Sequence, residues 1–275
     1  MKHFHRNAVL FRLICLFAIT FSTSLVNAGE SQLEIPVPGW LDFARGDIEN
    51  WPSRIIEDSK SSFFDNNNLL MLLAAGGGSI ALHSSKADKQ IARNMDHHRA
   101  FRSKDIDKFI DLAGNPGMHF AATGIWYLVS DRKGDQLGKD RAWTMMTALS
   151  ITGVTTLALK GIVHNNTPND KKFAWPSGHT SSSFTVAAVL YEFYGPEIGI
   201  PAYCGASVVA WRMMDSGDHW ASDVLFGAVL GIVVGHTVAG KHKKIEVAGF
   251  KVEPFFGGLG DEDGGGTGIC LTKRF

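Results

Sequence analysis

The sequence predicts an all-α fold, an antiparallel helical bundle of about six core helices, closed by a short C-terminal β-hairpin-like tail. Three observations lead there. Six apolar stretches of helical length follow one another between Asn68 and Val238. The chain holds 30 glycines and only 20% charged residues, a composition suited to helices that approach one another closely. Alternation of apolar with polar residues, the mark of a strand, begins only after His242.

The 275 residues (29.9 kDa) allow one large domain or two small ones. Twenty-seven basic side chains balance 27 acidic ones, which excludes a nucleic-acid binder acting through bulk positive charge. A hydrophobic fraction of 45% excludes a disordered chain. A mean hydropathy of +0.01 is low for a chain mostly embedded in lipid. Three cysteines are too few for a disulfide scaffold.

Residues 1–28 read as an export signal. Lys2, Arg6 and Arg12 precede the apolar run Leu13–Val26, and Val26-Asn27-Ala28 offers a cleavage site. An uncleaved anchor is the competing reading, although the run is short for a span. Removing the segment leaves 24 basic against 27 acidic residues, a net charge of −3. Export would permit Cys204 to pair with Cys270, and two independent thiols is the alternative.

Residues 29–68 form a polar N-terminal segment with one short helix expected near 53–60. A helical domain over 69–242 follows. Its apolar stretches are Asn68–Leu82, Gly117–Val129, Ala142–Val163, Thr180–Tyr194, Ile198–Met214 and Ser222–Val238. The last carries Gly227, Gly231 and Gly235 on one face, spaced for close helix approach. Lys86–Lys108 is a charged linker, expected as a solvated loop. Asp96-His97-His98 within it lacks a second ligand group at metal spacing. Residues 243–275 make the Gly-rich hairpin tail.

Chemistry concentrates between Lys160 and Asp223. In an antiparallel bundle the connections after the third and fifth stretches lie at one end. Lys160, Ser177, Gly178, His179, Arg212 and His219 then converge on one mouth. Two cations, a hydroxyl and the free N–H groups of a helix N-terminus make an anion site. Two histidines divide nucleophilic attack from protonation of the leaving oxygen. Asp223, one helical turn after His219, can hold the tautomer that frees its other nitrogen.

These residues resemble the motifs of the type 2 phosphatidic acid phosphatase superfamily: Lys-x6-Arg-Pro, Pro-Ser-Gly-His and Ser-Arg-x5-His-x3-Asp. The resemblance covers Lys160 to about Gly235. Pro176-Ser177-Gly178-His179 matches fully, and His219-x3-Asp223 follows 40 residues after His179. The resemblance implies a metal-independent phosphatase, without cofactor, acting on a lipid phosphate or another phosphorylated small molecule. His219 would form a phosphohistidine, oriented by Asp223, with His179 as general acid. Lys160, Ser177, Gly178 and Arg212 would hold the phosphoryl oxygens.

Two departures stand out. Thr167-Pro168 replaces the expected Arg-Pro, so a hydroxyl stands where a guanidinium would clamp phosphate. Trp211 replaces the Ser of the third motif, and six residues rather than five separate Arg212 from His219. They keep open a pseudo-phosphatase that binds a phospholipid headgroup without turnover. A vanadate-dependent haloperoxidase is a further alternative within the family. Membrane contact is expected from the apolar helices, in an exported, periplasmic, membrane-associated chain, with an integral inner-membrane protein as the variant. Six spanning helices after a translocated N-terminus would put the mouth in the cytoplasm, opposite to membrane members of the family. The substrate's identity and the oligomeric state stay open.

Overall fold

The computed structural model describes residues 39–101 and 103–243, with side chains from 41, and the backbone of 245–247, 250–256 and 267–273. The expected export signal lies outside the described residues. Among them, a 3-10 turn (Gly39–Ala44) precedes ten α-helices. These are α1 (Arg45–Glu49), α2 (Trp51–Phe64), α3 (Asn66–Ser84), α4 (Ala87–His97) and α5 (Lys104–Gly114). They continue as α6 (Pro116–Lys133), α7 (Gln136–Val163), α8 (Gly178–Tyr194), α9 (Pro196–Asp215) and α10 (Ala221–His242).

All six apolar stretches are helices: α3 and α6 to α10. Their starts follow from short polar side chains that take up free N–H groups. Asp65 accepts from Asn67 and Asn68 at 2.9 and 3.1 Å, Asn115 from Gly117 at 2.8 Å, and Asp135 from Gly138 at 2.9 Å. Pro116 and Pro196 occupy first helical positions, where no N–H is needed. Gly134, at φ +66°, ends α6 in a left-handed turn that glycine adopts without a Cβ clash.

The charged stretch 86–108 is not a solvated loop: α4 and the start of α5 together fill most of it. The reason is amphipathicity hidden among charges. In α5, Ile106, Phe109, Ile110 and Ala113 repeat at i, i+3, i+4 and i+7, while Asp107 and Asp111 stand one turn apart. Asp215, on α9, fixes the connection between them by accepting from the Ala100 and Phe101 amides at 2.9 and 3.2 Å. Asp96 and His97 lie in the last turn of α4.

One buried cluster runs through α7, α8 and α10, with Leu149, Leu159, Val189, Leu230 and Val234 at its centre. The glycine face of α10 lies on α8. A Cβ on Gly227 would stand 2.8 Å from the Ser177 carbonyl, and one on Gly231 would meet the Ser181 carbonyl closer still. On Gly235 it would stand 2.6 Å from the Ala188 Cβ. Buried hydroxyl pairs, Thr152–Thr185 at 2.9 Å and Thr156–Ser181 at 3.1 Å, fasten α7 to α8. Outward, Leu70, Met71 and Leu73 on α3, Ile125 on α6, and Val154 and Leu157 on α7 are exposed. Helices α7 and α10 are long and apolar enough to cross a membrane.

The chain from Lys241 to Phe275 forms a second unit. Its strands are β1 (Ile245–Val247), β2 (Phe250–Phe256) and β3 (Thr267–Lys273), antiparallel in the order β1-β2-β3. Ile245 lies opposite Val252, and Phe250 opposite Lys273. The tail is thus a three-stranded meander: residues that a hairpin reading places at the start of one strand form a strand of their own. Cys204 is exposed and free among the described residues; the side chain of Cys270, and so the expected pairing, lies outside them.

Candidate active site

The α7–α8 and α9–α10 connections meet at one end of the helical unit. The Asn169 amide donates to the Gly217 carbonyl at 3.2 Å and the Ser177 amide to the Asp223 carbonyl at 3.1 Å. Trp220 Nε1 donates to the Asn166 carbonyl at 2.7 Å, and Lys171 pairs with Asp218 at 2.7 Å.

At this junction His219 Nδ1 lies 3.2 Å from Asp223 Oδ2. A carboxylate oxygen can only accept, so Nδ1 carries a proton, and in the neutral imidazole the lone pair is then on Nε2. Asp223 is fully buried, and its Oδ2 also accepts from the Trp220 amide at 2.9 Å. The donation from the His219 amide to the Met213 carbonyl, 2.9 Å, fixes the backbone that carries the imidazole. His179 stands in the first turn of α8. Its Nε2 is buried without a hydrogen-bond partner among the described residues and faces Asp111 Oδ1 at 3.5 Å. Burial holds His179 below the ordinary histidine pKa, and Asp111 opposes that shift.

Arg212 comes to the same place from the end of α9, largely buried and ringed by carboxylates. It forms a two-pronged pair with Asp107 at 2.8 and 3.1 Å, and its Nη1 reaches Asp111 at 2.7 Å and Asp218 at 3.0 Å. The Arg212 hydrogen bonds hold Asp107 below the usual carboxylate range against its partial burial. Asp218 is partly buried, which would raise its pKa, but hydrogen bonds from Lys171, Ser216 and Asn169 bring it down to about 2.

The remaining candidates have structural partners of their own. Lys160 Nζ, in the last turn of α7, donates to the Phe173 carbonyl and, at 3.1 Å, to the Ala174 carbonyl. It thereby ties α7 to the strand of chain entering Pro176-Ser177-Gly178-His179. Ser177 caps α8: its Oγ accepts from the Thr180 amide at 3.4 Å and the Thr180 hydroxyl at 3.0 Å. Gly178 opens the helix, and a Cβ there would meet Thr156 at an ordinary 3.8 Å. The Thr167 hydroxyl is used inside its own loop, donating to Asn169 Oδ1 at 2.5 Å and accepting from the Lys171 amide at 2.9 Å.

Sequence reasoning missed the three carboxylates around Arg212 and a buried chain behind the site. Trp175 Nε1 donates to Ser79 Oγ at 2.9 Å, and Ser79 donates to the Ser222 carbonyl at 2.9 Å. Asp88 accepts from the Ser222 amide at 3.0 Å and its hydroxyl at 2.5 Å. Asp88 thus serves from α4 as the cap of α10, next to Asp223. His119 joins α6 to Ser182 at 2.7 Å and to the Ala113 carbonyl at 2.8 Å, setting the end of α5 beside α8. Only the i, i+4 spacing of Asp107 and Asp111 beside an apolar period signalled any of this in sequence.

Comparison with known proteins covers this region. The PAP2 superfamily model matches residues 144–245, from within α7 to just past α10. The segment carrying the site is thus similar to the PAP2 superfamily over 144–245, less than half of the chain. A lipid A 1-phosphatase of Porphyromonas gingivalis is 40% identical over 65 residues, 22% of this chain, and the match spans only 15% of that protein's length. The crystal structure of a transmembrane PAP2-type phosphatidylglycerolphosphate phosphatase from Bacillus subtilis superposes with a TM-score of 0.53 at 19% identity. It covers 63% of this chain and 92% of its own, which establishes the fold. Aquifex aeolicus LpxE has a TM-score of 0.46 at 19% identity, over 55% of this chain and 93% of its own. The matched segment includes His179, Arg212, His219 and Asp223; Asp88, Asp107 and Asp111 lie upstream of it, on α4 and α5.

Proposed function

We propose that this chain is a metal-independent phosphatase that hydrolyses a phosphomonoester or diphosphate of a lipid through a phosphohistidine. The observation that carries the reading is the pairing of His219 Nδ1 with buried Asp223, with His179 and Arg212 at the same mouth. His219 Nε2 attacks phosphorus, and the bond from phosphorus to the leaving oxygen breaks. His179 gives that oxygen its proton. Water, deprotonated by His179, then displaces the imidazole and releases phosphate. Arg212 and the α8 N-terminus stabilise the phosphoryl oxygens as charge develops on them.

The lipid assignment and membrane contact draw on the exposed apolar side chains of α3, α6 and α7, the length of α7 and α10, and the lipid A 1-phosphatase relative. Export to the periplasmic side is part of the same reading and rests on the basic-then-apolar N-terminal sequence. A second reading, a headgroup binder without turnover, is favoured by Thr167, whose hydroxyl is engaged within its loop.

Phosphate release by the purified chain in detergent decides between them, with a chelator present. Release from a lipid-phosphate panel that survives chelation and disappears in His219→Ala supports the phosphatase. A folded wild-type chain that binds these lipids and releases nothing supports the binder.

A further inference from the structure

The two departures from the family pattern lie side by side. Pro168 and Asn169, next to the Thr167 that stands in place of an arginine, pack against Gly217 of the lengthened α9–α10 loop. Gly217 has φ +73°, and a Cβ there would come within 3.7 Å of Pro168. These loops form one wall of a cleft of about 460 Å³, and Trp220, the residue after His219, belongs to that wall.

The opposite wall is α4 and the residues after it. Lys89 and Arg93, one turn apart on α4, line the cleft together with Arg99. Two carboxylates also belong to the lining, and both are engaged. Asp215 accepts from two backbone amides, and Asp96 pairs with Arg99 at 3.2 Å. The lining is therefore cationic on balance, with Lys89 and Arg93 uncountered by a carboxylate within the cleft. Their positive charge stands on the side of the mouth where the first motif has lost its arginine.

We infer that this cleft is a second anion subsite, which takes a phosphoryl group other than the one that is cleaved, so that the preferred substrate carries two phosphates on one molecule. The inference rests on the phosphatase reading for the first phosphate. The second is recognised by Lys89, Arg93 and Arg99 as a charge at short range, with arginine able to grip its oxygens in a fork. Linking the two binding events on one molecule raises affinity without new contacts at His219.

The test uses α,ω-alkanediol bisphosphates of increasing chain length against ω-hydroxyalkyl monophosphates of matched length. Binding is measured by calorimetry on the full-length His219→Ala chain in detergent, and turnover on the wild type. Lys89 and Arg93 are exposed, so Lys89→Ala/Arg93→Ala leaves the fold intact, as circular dichroism would verify. The expected result is a bisphosphate of one length range binding roughly tenfold more tightly than its monophosphate, by effective concentration. That preference disappears in the double variant and fades with salt, while monophosphate turnover stays within about twofold. Equal binding of bisphosphates and monophosphates at every length, with turnover intact, overturns the subsite and leaves the phosphatase standing. A bisphosphate preference lost in the double variant, without turnover of either compound, sustains the subsite and overturns the phosphatase reading. Neither binding nor turnover overturns both.

Discussion

Asp111 Oδ1 accepts a hydrogen bond from Arg212 Nη1 at 2.7 Å, and that same oxygen lies 3.5 Å from Nε2 of His179. A carboxylate oxygen of α5 therefore stands between the group proposed to bind a phosphoryl oxygen and the group proposed to protonate the leaving one. In the proposed mechanism a phosphate bound at Arg212 Nη1 takes its place.

Asp111→Asn is expected to strengthen inhibition by orthovanadate or inorganic phosphate roughly 3- to 30-fold, since one charge-assisted hydrogen bond to Arg212 no longer competes. The same change removes the carboxylate that opposes the downward shift of His179. The His179 pKa falls further, and the basic limb of the kcat profile moves to lower pH because the acid must be protonated. Unchanged inhibition and an unmoved limb would separate Asp111 from the phosphate seat.

Asp223→Asn keeps the shape of a fully buried side chain while removing the acceptor that fixes His219. Activity is expected to fall by about 10²- to 10⁴-fold with little change in KM. His179→Ala should cost far more with an alkyl phosphate than with a p-nitrophenyl ester, whose leaving oxygen needs no proton. Equal losses of kcat/KM on both substrates, which reports the step that expels the leaving oxygen, would take the general-acid role away from His179.

Glycines on α10 and α7 make opposite predictions. Gly231→Ala drives a methyl into the Ser181 carbonyl and should destabilise by about 1–3 kcal/mol, read as a lowered thermal midpoint. Gly153 on α7 has open space where a Cβ would stand, so Gly153→Ala should stabilise by up to about 1 kcal/mol through helix propensity. Equal effects would mean that the α8–α10 contact is looser than described.

Asp218 links Lys171, Ser216, Asn169 and Arg212, and its folded pKa of about 2 lies below the ordinary 3.8. A depressed carboxylate adds stability above its unfolded pKa and loses it as pH falls through the folded value. The difference in urea midpoint between wild type and Asp218→Asn should be constant above about pH 5 and shrink below pH 4. A difference that persists unchanged down to pH 3 would assign the effect to packing rather than charge.

Much of the fold was legible in sequence because the period of buried residues is local. The six apolar stretches, their polar caps and the glycine face of α10 all became helices or helix contacts. Helices α4 and α5 escaped notice because their apolar stripes are narrow and set among many charges. The candidate site was legible where spacing does the work. His219 and Asp223 meet because four residues make one helical turn. Arg212 was legible as a member of the mouth and not as the centre of three carboxylates, two of which lie about 100 residues earlier.

The sequence by itself determined which residues form the helices, where those helices begin, and which groups of the Lys160–Asp223 stretch share an end of the bundle. Each of these depends on residues a few positions apart, on a backbone whose geometry repeats. Tertiary structure alone decided that Asp88 caps α10, that Asp107 and Asp111 lie on Arg212, and that Lys89 and Arg93 face the two irregular loops. Those pairings join segments distant in the chain. They are set by how whole helices pack, and a charge carries no mark of its partner until packing brings the two within hydrogen-bond distance.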